Sequence, residues 1–367
     1  MSIWNFIGGQ LWSEGGLRQN ERFSIEVKDE PSREILLNPG DVITPGLYDI
    51  HCHLWGQKDT FGKGSLISLS PEHLLADGIA GCADAGSYGY TDWESADRLW
   101  RLSALNIKSW INVLPEGLTA AGRSAPESID LDRLVNLFER HAGRVLGFKL
   151  MHGLASDRPD WERGWLDIAR EAADRVGTKL MVHLTGSILP IGETIAHLRK
   201  GDILSHIYNA AGPGGIIVGE DGNILPEVFE ARRRGILFEA SSAFRHFSFV
   251  VYRRAHEAGL EPDIIATDNN LRDYRKLPLI GLAHLVSKLT AAGMDKTAAL
   301  KAAIDTPRLC MDMKEDVAGN VVLLREIREN VVFQDTVLKN PAPVFLESDR
   351  YYRATFSILS NRCIVSE

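Results

Sequence analysis

From Val42 to about Met311 the chain alternates two patterns of apolar and polar residues. Short runs rich in Val, Ile and Leu end on a polar or glycine-rich residue. A longer segment follows each, with apolar residues at helical spacing. The short runs predict eight strands: Ile43–Leu54, Gly78–Gly86, Ile107–Leu114, Val145–Met151, Lys179–Leu184, Asp202–Ile207, Ile236–Ala240 and Asp263–Thr267. The spacing between them predicts helices over Glu94–Leu105, Leu131–His141, Arg163–Val176, Ile191–Arg199, Leu225–Arg234, Phe249–Ala258 and Leu277–Ala292. Such β-then-α units with short connections favour parallel strands closed into a barrel. A doubly wound open sheet would want a glycine-rich phosphate turn after an early strand, and none is present.

The two ends read differently. Met1–Gly40 and Asn320–Glu367 hold short β-rich pieces, such as Phe23–Val27, Val321–Leu324 and Ala354–Leu359, with turn signals and prolines between them. The expected fold is therefore α/β: a (β/α)8 TIM-like barrel over residues 42–311, flanked by a small β-rich domain formed from both termini, residues 1–41 and 312–367.

The strongest local signal is Pro45-Gly46-Leu47-Tyr48-Asp49-Ile50-His51-Cys52-His53. Strand side chains alternate faces, so His51 and His53 point the same way and Cys52 points to the opposite face, as a core residue. At the C-terminal end of a barrel strand, that shared direction is into the mouth, where barrel active sites lie. Two imidazoles converging there are placed to ligate a metal ion. A lone H-x-H also arises by chance, as two structural histidines. The rest of the set changes the odds. Lys149 ends Val145-Leu146-Gly147-Phe148, His183 ends Leu180-Met181-Val182, His206 ends Ile203-Leu204-Ser205, and Asp268 ends Ile264-Ile265-Ala266-Thr267. In a closed barrel these strand ends meet at one mouth. Buried polar and charged groups need partners, and a metal supplies them.

A protonated Lys149 cannot bind a cation. It is neutral, or paired with a carboxylate such as Asp268, or carboxylated by carbon dioxide to a carbamate able to bridge two ions.

These six residues, in this order on these strands, resemble the amidohydrolase superfamily and its binuclear, dihydroorotase-like branch. Within that branch Asp84-Ala85-Gly86-Ser87, Gly147-Phe148-Lys149, Met181-Val182-His183 and His206-Ile207-Tyr208-Asn209 are similar to a subgroup with acetyl-(R)-mandelate esterase activity. The resemblance implies two divalent ions, with zinc as the expected metal, and a carboxylated Lys149. His51 and His53 would hold the more buried ion with Asp268. His183 and His206 would hold the other, and Lys149 with a hydroxide would bridge both. Asp49 would orient a ligand histidine. Asp268 would act as general acid and base in hydrolysing an ester, an amide or a cyclic amide.

The chain departs from that subgroup in two places. Glu239-Ala240-Ser241-Ser242 stands where the subgroup has Gly-His-Gly, and Asn269-Asn270 stands where a histidine is usual. Both changes fall on the substrate pocket. The pocket candidates lie in the loops after the strands: Ser87 and Tyr88; Tyr208 and Asn209; Arg245 and His246; Asn270, Arg272 and Arg275. Any of the arginines could bind a substrate carboxylate with two hydrogen bonds. His152 neighbours the site but faces away from Lys149 by alternation.

Composition narrows the function classes. The 367 residues are 44% apolar and 25% charged, ordinary for a globular protein, and the net charge of -8 argues against nucleic acid or an anionic membrane as partner. The start reads as no secretory signal, and no apolar run reaches the ~18 residues of a membrane span. Four scattered cysteines fit free thiols in a reducing compartment, so a cytoplasmic enzyme acting on a small molecule is expected. These features are compatible with a homo-oligomer. Two other readings compete with a binuclear hydrolase. A mononuclear deaminase of the same superfamily would not need Lys149, and an inactive binding subunit should have lost ligands.

Overall fold

The computed structural model describes residues 2–28, 30–54, 70–118, 123–153, 157–212, 214–241, 246–269, 281–313, 320–335, 344–359 and 362–365. Eight parallel strands form one sheet: β5 (Leu47–Cys52), β6 (Ile79–Gly89), β7 (Asn106–Asn112), β8 (Val145–Met151), β9 (Lys179–His183), β10 (Ile203–Ser205), β11 (Leu237–Ser241) and β12 (Ile264–Ala266). Each strand pairs with the next in chain order from β5 to β12. The barrel closes just past the last strand, where Cys52 bridges Asn269. There the Asp268 amide donates to the His51 carbonyl at 2.7 Å, and the His53 amide to the Asn269 carbonyl at 2.9 Å.

The helices between the strands carry their apolar faces inward. Leu131–Arg140 is capped by Asp130, whose carboxylate accepts from the Arg133 amide, and it buries Leu134 and Leu137. Pro159–Val176 begins on a proline and ends at Gly177 with φ 64°, a left-handed stop suited to glycine. The last expected helix, Leu277–Ala292, is seen as Leu282–Ala291; residues 270–280 lie outside the described residues. Among the described residues three α-helices were not expected: Pro71–Ala76, Lys296–Ala303 and Asp305–Cys310.

Both termini contribute to a second sheet. It is built from β1 (Ser2–Ser13), β2 (Gly16–Gln19), β3 (Arg22–Val27), β4 (Arg33–Thr44), β13 (Val321–Ile327), β16 (Tyr351–Leu359) and β17 (Arg362–Val365). Here β4 runs parallel to β1 and antiparallel to β13, so chain start and chain end are joined through β4. Trp4, Phe6, Val27, Ile43, Val321, Leu323, Phe356 and Ile358 form a small core of their own. A separate hairpin pairs β14 (Val331–Gln334) with β15 (Phe345–Ser348).

The expected strand Ile43–Leu54 is two strands. Pro45 has no amide to offer a ladder, and Gly46 sits at φ 117°, where a Cβ would come 2.5 Å from that of Ala80. The break hands residues 42–44 to the terminal sheet and starts the barrel at Leu47.

Candidate metal centre

The strand ends aim the expected ligands at one small volume. His51 lies on β5 and His53 just past it, Lys149 on β8, and His183 at the end of β9. His206 follows β10 at φ 62°, and Asp268 lies two residues past β12 at φ 52°. Left-handed backbone is uncommon for residues with a side chain and costs of order 1–3 kcal/mol, so the surrounding packing holds these two in place. All six side chains are buried.

Asp268 stands between two histidine groups. Its Oδ1 is 3.3 Å from His51 Nε2 and 2.9 Å from His53 Nε2. Its Oδ2 is 3.7 Å from His206 Nε2 and 3.3 Å from His246 Nε2. Two sets of donor atoms result, His51–His53–Asp268 and His183–His206–His246, and the atoms of each lie within 4.8 Å of one another. Lys149 Nζ is 3.4 Å from His51 Nε2 and 3.5 Å from Ser205 Oγ.

The far nitrogen of each imidazole is held as well. His51 Nδ1 faces Glu239 Oε1 at 2.9 Å and Ser205 Oγ at 3.0 Å. His53 Nδ1 meets Ser87 Oγ at 2.9 Å, and His206 Nδ1 meets Ser241 Oγ. His183 Nε2 donates to the Thr185 carbonyl at 3.1 Å, while His246 Nδ1 bonds the Thr185 hydroxyl at 2.8 Å. Such partners select the tautomer and aim the opposite lone pair.

Asp49 holds His51 through its backbone amide, and the carboxylate contact to the His51 ring comes from Glu239. The Asp49 carboxylate accepts from the His51 amide at 3.2 Å and from the Thr267 amide and hydroxyl at 3.2 and 2.5 Å. It ties β5 to the chain after β12 and touches no ligand ring. Glu239 and Thr185 were not anticipated as site residues. Glu239 does carry the same signature as the expected set, a polar residue closing the apolar run Ile236-Leu237-Phe238.

Charge is concentrated here. Burial and Lys149 push His51 down, but Glu239 and Asp268 outweigh them, and its pKa is raised to about 9. Burial lowers Lys149 to about 8, against the pull of Glu239 and Asp268. Burial alone would raise Asp268, yet His51, His53 and His206 hold it well below the usual carboxylate range. The donor set fits a divalent cation. Buried His206 Nε2 and Glu239 Oε2 have no hydrogen-bond partner among the described residues. Imidazole nitrogens and carboxylate oxygens are ligands that zinc and similar ions accept.

The expected pocket residues fare differently. Ser87 is buried against His53 and so acts on a candidate ligand. Tyr88 packs edge-on to Trp100, with ring centroids 5.7 Å apart, on the helical side of the sheet. Tyr208 donates to the Leu260 carbonyl at 2.9 Å and lies against Tyr252, away from the mouth. Asn209 shapes its own loop, donating to the His206 and Gly215 carbonyls at 2.8 and 3.1 Å. Adjacency to a ligand in sequence did not give these side chains the ligand's direction. Arg245, Asn270, Arg272 and Arg275 lie outside the described residues. His152 faces away as expected, bonding Ser187 Oγ at 3.2 Å.

Solved structures share this architecture over the whole chain. An adenine deaminase superposes with a TM-score of 0.81 at 18% identity, covering 100% of both chains. A dihydroorotase gives 0.79 at 19% identity, covering 100% of this chain and 99% of the other. The chain shares the barrel fold of these proteins. A D-hydantoinase shares that architecture more loosely, with a TM-score of 0.60 at 14% identity, covering 100% of this chain and 96% of the other. Among curated proteins, a deacetylase of Brucella anthropi is 27% identical over 277 residues, 73% of this chain and 66% of that protein's length. A deacetylase of Agrobacterium fabrum is 27% identical over 291 residues, 76% of this chain and 68% of that protein. No family model matches the chain. Among the described residues no helix is long and apolar enough to cross a membrane.

Proposed function

We propose that this chain is a metal-dependent hydrolase of the amidohydrolase superfamily that cleaves an ester or amide bond of a small acylated molecule. Residues 42–311 would form the catalytic barrel, and residues 1–41 with 312–367 a small β-rich domain beside it. The reading rests above all on Asp268, whose two carboxylate oxygens face two separate histidine groups in one buried mouth. The deacetylase relatives fit removal of an acyl group.

His51, His53 and Asp268 would hold one divalent ion and His183 and His206 a second, with carboxylated Lys149 between them. Bound there, such ions supply a water that ionises near neutral pH and a Lewis acid for the substrate carbonyl. The protein does the rest. Glu239, Ser87, Ser241 and Thr185 fix the imidazoles, so little reorganisation is needed when charge develops. Asp268, held as a carboxylate by its histidines, accepts the proton of the attacking water. It then passes that proton to the departing alcohol or amine.

The test is a screen of zinc-, manganese- and cobalt-loaded protein against N-acyl amino acids, acylated hydroxy acids and cyclic amides, with metal content measured in parallel. About two ions per chain and hydrolysis lost in Asp268→Asn are expected. One ion per chain with deamination of a nucleobase would move the assignment to the mononuclear reading. Protein that takes up no ion would refute both.

A further inference from the structure

The loop after β11 brings a third imidazole to the second histidine group. His246 stacks on His206, with ring centroids 4.0 Å apart and planes 25° apart, and lies edge-on to His183 at 5.0 Å. His183 and His206 are themselves 4.4 Å apart. Three rings in mutual contact in a buried site have either a shared cation or a packing role to satisfy. Their hydrogen bonds leave one nitrogen of each ring for a cation.

Each ring uses one nitrogen outward. His183 gives Nε2–H to the Thr185 carbonyl, which leaves its lone pair on Nδ1. His206 has Nδ1 on Ser241 and a buried, unpartnered Nε2. His246 has Nδ1 on the Thr185 hydroxyl and Nε2 beside Asp268 Oδ2. One ring nitrogen from each of the three lies within 4.8 Å of the others. With no ion bound, His246 Nε2–H can donate to Asp268 Oδ2; a cation would instead take up one nitrogen lone pair from each ring. Metal–nitrogen bonds of about 2.0–2.1 Å would need only a modest contraction of the triangle. Thr185 is central, because one residue orients two rings, one at the end of β9 and one in the loop after β11.

We infer that His246 is a ligand of the second ion, which therefore sits in a three-histidine site of His183, His206 and His246. This rests on the proposed metal-dependent reading and adds a donor from the β11 loop that the strand-end pattern does not contain. It also means that the second ion need not depend on Lys149 for its retention.

Equilibrium dialysis against zinc with metal analysis, and the visible spectrum of cobalt-loaded protein, test the assignment without any substrate. His246→Ala should keep the ion held by His51, His53 and Asp268. It should weaken the second by at least about 10–100-fold, the loss typical when even a residue that only orients a ligand is removed. Thr185→Val keeps the carbonyl on His183 but drops the hydroxyl from His246, and should weaken the second ion by about tenfold. The cobalt spectrum should change in both. In unsubstituted cobalt protein carrying labelled histidine, a paramagnetically shifted ring N–H signal from His246 tests the contact independently of how variants fold. If His183→Ala and His206→Ala lose the second ion while His246→Ala retains it at wild-type affinity with an unchanged spectrum, the His246 assignment is wrong and the hydrolase reading stands. Wild-type protein that binds no ion would overturn both.

Discussion

Glu239 Oε1 lies 2.9 Å from His51 Nδ1, and both side chains are buried. This contact backs the candidate centre electrostatically, because a full carboxylate raises the basicity of the ring it holds. Glu239→Gln keeps the shape and removes the charge. It should weaken the ion held by His51 by about 10–100-fold in a metal-competition titration. Glu239→Ala should in addition lower stability in urea unfolding, since it leaves Asp268 alone to balance the charge on His51 and Lys149. Unchanged metal affinity in both variants would remove Glu239 from the site.

Ser87 holds His53 in the same sense but without charge. Ser87→Ala should lower affinity for the same ion by about tenfold while changing stability by only about 1 kcal/mol. Metal titration and thermal melting on the same sample separate the two effects. A large loss of stability with normal metal affinity would make Ser87 a packing residue only.

Lys149 should be carboxylated when both ions are bound. An ammonium among groups that converge on cations would repel them, whereas a carbamate offers an oxygen to each. Intact mass of metal-loaded protein under native conditions should show one added carbon dioxide on this side chain. Lys149→Ala should lose most activity, stay unresponsive to bicarbonate and recover partly with a short carboxylic acid. Neighbouring Gly86 leaves room for this residue: at φ 74°, a Cβ there would come 2.7 Å from Lys149 Cβ. An unmodified amine beside two occupied ions would refute the carbamate.

Acid stability should depend on His284, far from the centre on the helix Leu282–Ala291. Burial, and then the charge of Lys288, lower its pKa from 6.5 to about 3, and its Nδ1 has no hydrogen-bond partner among the described residues. The folded state refuses a proton that the unfolded chain accepts. The resulting stability is complete above about pH 6.5 and is lost as the pH falls towards 3. His284→Leu should therefore move the acid-unfolding midpoint to lower pH, followed by circular dichroism. A midpoint that stays in place would show that other groups govern the acid limb.

The barrel and its six candidate ligands were legible because each ligand closes an apolar run, and period-two alternation then sets its direction. Glu239 has the same signature, but it stands at a departure from the resembled subgroup, which in sequence points only to the pocket. Thr185 and His246 lie in loops, where no periodicity tells which way a side chain turns. The same lack of direction misplaced Tyr88 and Tyr208, which sit beside site residues in sequence and turn into the helical layer. The strand break at Pro45-Gly46 was written in the two residues worst suited to a ladder, although the apolar run continues across them.

The closure of the barrel at Asp268 bears on how the protein folds. Asp49 and Thr267, joined by side-chain hydrogen bonds, are 218 residues apart in sequence. The Asp268 amide meets the His51 carbonyl beside them. Contacts of such long range form only after the intervening chain has been ordered, so the centre should be among the last parts to assemble. A cation that binds the assembled centre and not its fragments would stabilise the closed chain as a whole. Loss of metal should thus lower global stability and speed unfolding, and should not merely loosen the mouth.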